Sequence, residues 1–110
     1  MRVGIFGGTF DPVHFGHLIT VQSVIERRKL DRLILIPSYI SPLKQDEKHA
    51  SPEDRLEMLK LAAGGNKKLE VSDFEIRKEN ISYTIETVKH FLKLYPSVEL
   101  IIGYDNLLVF

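Results

Sequence analysis

The sequence predicts an α/β protein built on a doubly wound parallel sheet. Three observations lead there. Short, continuously apolar runs at Val3–Phe6, Leu33–Ile36 and Val98–Ile102 alternate with stretches of helical period. A run without polar alternation suits a parallel strand covered on both faces. Each run stops at glycine or proline: Gly7-Gly8, Pro37 and Gly103. With a weaker third strand over Leu69–Phe74, the order is β-α-β-α-β-α-β, which right-handed crossovers wind into one parallel sheet.

The helices between the runs are read from period and caps. In the first, Leu18, Val21 and Ile25 share one face. Ser51-Pro52-Glu53-Asp54 opens the second: serine as N-cap, proline as first helical residue, acids at the positive helix end. Leu56, Leu59 and Ala63 then point inward, and Gly64-Gly65 stops the helix. The third begins near Ser82 and turns Ile85, Val88, Leu92 and Tyr95 inward, with Pro96 beyond its end. In such a sheet ligands sit at the carboxyl ends of the strands. Those ends are Gly7-Gly8, Pro37 onward, Asp73-Phe74 and Gly103.

Composition narrows the function classes. Residues 1–110 are one domain's worth of chain, and 44% hydrophobic with 27% charged residues is an ordinary globular balance. Lys plus Arg equals Asp plus Glu at 15 each, so no basic excess marks a nucleic-acid or membrane-surface binder. The absence of cysteine excludes disulfides, thiolate metal sites and cysteine catalysis. Arg2–Phe6 is too short and glycine-rich for a signal peptide, and no apolar run approaches the ~20 residues that span a bilayer. A cytoplasmic protein is expected.

The stretch that carries chemistry is Gly7-Gly8-Thr9-Phe10-Asp11-Pro12-Val13-His14-Phe15-Gly16-His17-Leu18, between the first strand and the first helix. Glycines let backbone approach a polyphosphate, and N–H groups at a helix start attract anions. The stretch is neither a G-x-G-x-x-G fingerprint nor a P-loop, which argues against hydride transfer and against P-loop ATPase chemistry. His14 and His17 are spaced to lie on one side of a helix or its entry turn. Taken alone they read as structural caps, as half of a metal site, or as hydrogen-bond donors to a phosphate on which charge builds. The glycines and the strand-to-helix position favour phosphate, and zinc lacks a third ligand of matching position. His49 and His90 read as ordinary loop and helix residues, and Arg55 as a surface helix residue.

From Gly7 to Leu18 the sequence resembles the signature of the HxGH nucleotidyltransferases, and G-G-T-F-D-P before His14-Phe15-Gly16-His17 is most similar to the bacterial nicotinate-nucleotide adenylyltransferases. The resemblance continues through Pro37–Lys44, Arg55–Leu59, Ser82-Tyr83-Thr84 and Ile102-Gly103-Tyr104-Asp105. It implies a Rossmann-like doubly wound fold of the nucleotidyltransferase type. It also implies a reaction in which nicotinate mononucleotide attacks the ATP α-phosphorus through its own phosphate, giving deamido-NAD and pyrophosphate. His14 and His17 would stabilise the α-phosphate, and Gly7, Gly8, Thr9 and Phe10 would shape the nucleotide pocket through their backbone. Gly103 and Asp105 would contact the ATP side. Lys44 would steer the acceptor phosphate, and Tyr39 and Thr84 would line the acceptor pocket. Mg2+ would neutralise the polyphosphate.

The sequence departs from the family pattern in places. Leu43 stands where the common P-P-H-[KR] motif has histidine, Tyr104 where alanine is usual, and Asn80 near a usual glycine. The family's I-S-S-T-x-x-R segment, which binds the β- and γ-phosphates, has no counterpart in residues 1–110. The chain therefore reads as the N-terminal portion of the family fold. On its own it is expected to bind ATP weakly, to turn over little, and to seek a partner, as a homo-oligomer or aggregate, along Val98–Ile102. Two alternatives stand beside the first reading: another HxGH transferase, such as a pantetheine-phosphate adenylyltransferase or a cytidylyltransferase, and a non-catalytic nucleotide-binding fragment.

Overall fold

A computed structural model describes residues 1–8, 10, 15–38, 51–78 and 84–101; the side chains of residues 15–17, 78 and 84 are outside the description. Four strands and four helices follow in the order β1 (Val3–Gly8), α1 (Phe15–Arg28), β2 (Arg32–Pro37), α2 (Pro52–Ala63), β3 (Leu69–Val71), α3 (Phe74–Lys78), α4 (Thr84–Leu92) and β4 (Val98–Ile101). All pairings are parallel and the sheet order is β3-β2-β1-β4, as the alternation of elements requires. The first strand is longer than its apolar run. Gly7 and Gly8 continue the ladder opposite Ile36 and Pro37.

Side-chain alternation along the strands builds two cores. Phe6, Leu33 and Leu35 point to one face, where Val21, Ile25 and Leu30 from α1 and its end meet Leu59 and Ala63 of α2. Val3, Ile5, Ile34 and Ile36 point to the other, against Phe91 of α4, with Val88, Tyr95 and Val98 at its border. Strands β1 to β3 step outward in one direction and β4 returns to the far side of β1. Right-handed crossovers then put α1 and α2 on one face and α4 on the other. Burying Val21 and Ile25 contributes roughly 1.5–3 kcal/mol each. Leu18 and Leu56, expected inward, are only half-buried.

Local chemistry sets the helix ends. Ser51 caps α2, its Oγ accepting from the Asp54 N–H at 3.1 Å, with Pro52 next. Beyond that helix Gly65 adopts φ 90°, a left-handed turn that glycine enters without steric cost. Helix α1 ends differently. Lys29 takes φ 53°, the Leu30 N–H donates to Ile25 O at 3.0 Å and the Lys29 N–H to Glu26 O at 3.4 Å. This is a Schellman pattern with lysine where glycine is usual, held by the contact of Leu30 and Ile25 in the core.

Three expectations are corrected here. The third strand ends at Val71, and Phe74 opens α3, an element missing from the expected order. Ser72 Oγ accepts from the Phe74 N–H at 3.2 Å, and Arg77 reaches back to Asp73 at 2.8 Å, so a local cap and an i,i+4 pair form one short helix. On α4 the buried stripe is Thr87, Val88 and Phe91, leading to Tyr95, whereas Ile85 is 62% and Leu92 48% exposed. Both stripes share Val88 and Tyr95. The bulkier Phe91 takes the place against Val3, Ile5, Ile34 and Ile36, which turns Leu92 outward. The expected start of this helix near Ser82 lies outside the described residues.

Glu99, the charged residue of β4, gathers two arginines. Arg28 Nη2 lies 2.7 Å from its Oε1 and Arg2 Nη2 3.1 Å from its Oε2, tying the amino end of the chain and the end of α1 to this strand. The hydrogen bond from Arg28 is the largest influence on the Glu99 carboxyl; burial opposes it, and the charges of Arg28 and Arg2 add to it, so the carboxyl is held below its usual range. A depressed folded value means that the stabilisation is complete above the unfolded carboxylate value of about 4.3 and is lost as pH falls through the lower folded value. Glu99→Gln is expected to lower the melting temperature modestly at about pH 7 and by less at about pH 3. Melts of both proteins at the two pH values check this, and added salt should shrink the difference at the higher one.

Candidate functional site

The carboxyl ends of the four parallel strands share one side of the molecule. Chain order reverses between β1 and β4, so the crevice at their carboxyl ends is the topological switch point where ligands bind in open α/β sheets. Gly7 and Gly8 occupy that end of β1, half-buried. A Cβ on Gly8 would sit 3.4 Å from the ring of Phe10, so the backbone passes close over that ring.

Phe10 is an anchor under this exit. Its side chain is 3% exposed, its ring centroid is 5.6 Å from that of Phe6, and its backbone holds φ 50°. A bulky residue in the left-handed region is strained, and the buried ring offsets that cost. Any ligand contact at Phe10 therefore falls to its main chain.

Helix α1 begins at Phe15 and has no acidic residue in its first turn, while Arg27 and Arg28 close its last. The positive end of the helix dipole is thus left for an anion, beside the glycine exit. The backbone of His17 lies in that first turn and His14 immediately precedes the helix in sequence. Thr84 is the first residue of α4. The side chains of His17 and Thr84, and all of His14, Thr9, Tyr39, Lys44, Gly103 and Asp105, lie outside the described residues.

The residue that sequence reasoning misplaced is Arg55. It is 1% exposed, and its Nη1 donates to the Ser38 carbonyl at 2.6 Å, directly beyond β2. Arg55, Leu59 and Ala63 form the buried stripe of α2 at i, i+4, i+8, a spacing that could have revealed it. The Ser38 N–H in turn donates to Gly8 O at 2.9 Å, which joins the exits of β1 and β2. A second buried pair was also missed. The Thr87 hydroxyl donates a short hydrogen bond to Glu75, both residues buried, and links α3 to α4 on the strand-exit side. His90 stacks on Phe74 with centroids 4.0 Å apart. Partial burial, then Lys93 and Arg77, hold its pKa below the usual histidine value.

An open cleft of about 410 Å3, lined by Glu26, Lys29, Asp31 and Lys68 among others, lies at the amino ends of β2 and β3. Its opposite charges largely cancel and it does not adjoin the glycine exit. Among the described residues no group of three or more His, Cys, Asp or Glu is arranged to hold a metal ion. No helix among them is long and apolar enough to cross a membrane.

A parallel sheet whose first strand ends in paired glycines at the switch point, and then runs to a helix start free of acids, defines a Rossmann-like fold of the nucleotidyltransferase type. The cytidylyltransferase-like family model matches residues 5–110, and the chain belongs to that family. A protein of Opitutus terrae named "Probable nicotinate-nucleotide adenylyltransferase" is 50% identical over 109 residues, covering 97% of this chain and 56% of that protein. A relative of the same name from Aquifex aeolicus is 45% identical, covering 100% of this chain and 66% of its own length. The chain thus spans a little over half the length of the first of these relatives. Among solved structures, "The Crystal Structure of a Putative Nicotinate-nucleotide Adenylyltransferase from Vibrio parahaemolyticus" superposes with a TM-score of 0.77 at 23% identity, over 100% of this chain and 63% of that one. Plasmodium falciparum nicotinic acid mononucleotide adenylyltransferase complexed with NaAD gives 0.71 at 16% identity, over 90% of this chain and 49% of its own. At these identities the two structures bear on the fold.

Proposed function

We propose that this chain carries the nucleotide-binding half of an adenylyl transfer from ATP to nicotinate mononucleotide, the step that forms deamido-NAD and pyrophosphate in NAD biosynthesis. The observation that supports it most is the Gly7-Gly8 exit at the switch point, followed in the chain by the HxGH segment, whose last three residues open the first turn of α1, a turn without acids. The names of the relatives at 45–50% identity favour this acceptor. An acceptor phosphate oxygen attacks the α-phosphorus, the bond from that phosphorus to the bridging oxygen breaks, and pyrophosphate leaves. The Gly7–Phe10 backbone cradles the nucleotide, while His14 and His17 donate to the α-phosphate oxygens as their charge grows. Gly103 and Asp105 hold the ATP side, and Tyr39, Lys44 and Thr84 the acceptor. Mg2+, held largely by the substrate phosphates, would supply charge neutralisation. A cytoplasmic setting suits the ATP supply.

The test, made on a complete version of the enzyme that contains these residues, is pyrophosphate release from ATP, and from CTP, with nicotinate mononucleotide, nicotinamide mononucleotide and pantetheine phosphate offered in turn. Release with ATP and nicotinate mononucleotide is expected. Preference for pantetheine phosphate or for CTP, or nucleotide binding without release, would overturn the reading. Lys44→Ala, as loss of a point charge on the acceptor phosphate, is expected to raise the acceptor KM more than the ATP KM. Unchanged constants would make Lys44 a solvated loop residue. Leu43→His should leave acceptor binding unchanged or tighten it.

A further inference from the structure

Arg55 is a guanidinium taken almost wholly out of water, with 1% of its surface exposed. Burying such a charge is unfavourable unless its donors are used, and a fixed planar fork is suited to hold a group at a set distance. Here one arm meets the main chain of Ser38 at 2.6 Å. Ser38 is the residue at which the chain leaves β2, and its own N–H reaches Gly8 O at 2.9 Å. Its side chain takes no part in this anchoring, because the buried Oγ makes no hydrogen bond among the described residues. The line Arg55–Ser38–Gly8 therefore runs from α2 through main-chain atoms to the glycine exit.

We propose that Arg55 is a positioning residue: by gripping the Ser38 carbonyl it sets how far the exit of β2, from which the following segment departs, stands from the glycine exit at the end of β1. The inference rests on the transferase reading, in which that segment carries Tyr39 and Lys44 for the acceptor. Two substrates that react in line need their separation fixed, and a displacement of about 1 Å costs on the order of 10²-fold in rate. On that reading Arg55 acts through Ser38, the base from which that segment departs. A lysine in its place keeps the charge and loses the fork, whereas methionine fills the space and loses both.

The test uses Arg55→Lys and Arg55→Met with two readouts. In steady-state kinetics a higher acceptor KM and a lower kcat should together reduce kcat/KM for the acceptor roughly 10- to 100-fold in Arg55→Lys, and more in Arg55→Met, with the ATP KM nearly constant. In amide hydrogen exchange, the Ser38 N–H should exchange faster in both variants. The Leu33 N–H, which donates to Lys68 O at 2.8 Å at the opposite end of β2, should keep its protection. Equal acceleration of both amides would make Arg55 a general support of the fold and overturn the proposal. So would an unchanged Ser38 amide, or an equal change in both KM values. If Arg55→Met does not fold, Arg55→Lys decides. If the unsubstituted protein shows no transfer to nicotinate mononucleotide, the functional reading fails, and the exchange comparison still decides whether Arg55 clamps the exit of β2.

Discussion

On the transferase reading, replacing His14 with alanine in a complete version of the enzyme is expected to lower kcat by on the order of 10²–10³-fold, with a much smaller change in ATP affinity. The reason lies in when the interaction forms. Negative charge accumulates on the α-phosphate oxygens as the acceptor attacks, so a donor aimed there gains most in the transition state. Loss of such a donor lowers kcat and kcat/KM together and leaves ground-state binding largely intact. The placement supports it: α1 opens at Phe15 with no acid in its first turn, immediately after His14 and beside the exit of β1. Steady-state rates and direct nucleotide binding for His14→Ala and His17→Ala make the check. Near-normal turnover in the alanine variants would remove the histidines from this role.

Phe10→Ala is expected to destabilise the protein by about 3–5 kcal/mol, the usual loss for a buried phenylalanine. At 3% exposure the ring lies in the core beside Phe6, and the Gly8 backbone crosses it. Alanine leaves a cavity directly under the glycine exit while keeping the unfavourable φ of 50°. Phe10→Leu should lose distinctly less, because much of the apolar volume is retained. Denaturant unfolding gives both numbers. A Phe10→Ala loss near that of an exposed residue would show that the ring does not support the turn. On the transferase reading, nucleotide binding at low temperature should also weaken in Phe10→Ala, since a collapsed exit no longer presents its backbone to phosphate.

Much of the fold and part of the candidate site were legible before any coordinate. Val3–Phe6 and Leu33–Ile36 are apolar without interruption because both of their faces are covered, and only a parallel strand between two helix layers meets that condition. Ser51-Pro52 reads as a helix start because its capping chemistry is local. The exception at Lys29 shows the limit of such signals. A left-handed helix end without glycine carries no mark in the sequence and is held by the contact of Leu30 with Ile25. The HxGH segment showed its family resemblance through residue types and spacing. The partners of Arg55 and Glu75 did not, because Ser38 and Thr87 come to them across the fold.

The sequence by itself determined the first, second and fourth strands, the doubly wound topology, the caps of α2 and the place of the glycine exit. Each of these follows from patterns within one element or between neighbouring ones. Only the tertiary structure decided which of two overlapping apolar stripes α4 would bury. That choice depends on whether Phe91 or Leu92 better fills the space left by Val3, Ile5, Ile34 and Ile36. It also decided that Arg55 is an interior residue. An arginine is taken out of water only where an acceptor waits, and the acceptor here, the Ser38 carbonyl, belongs to the end of another strand.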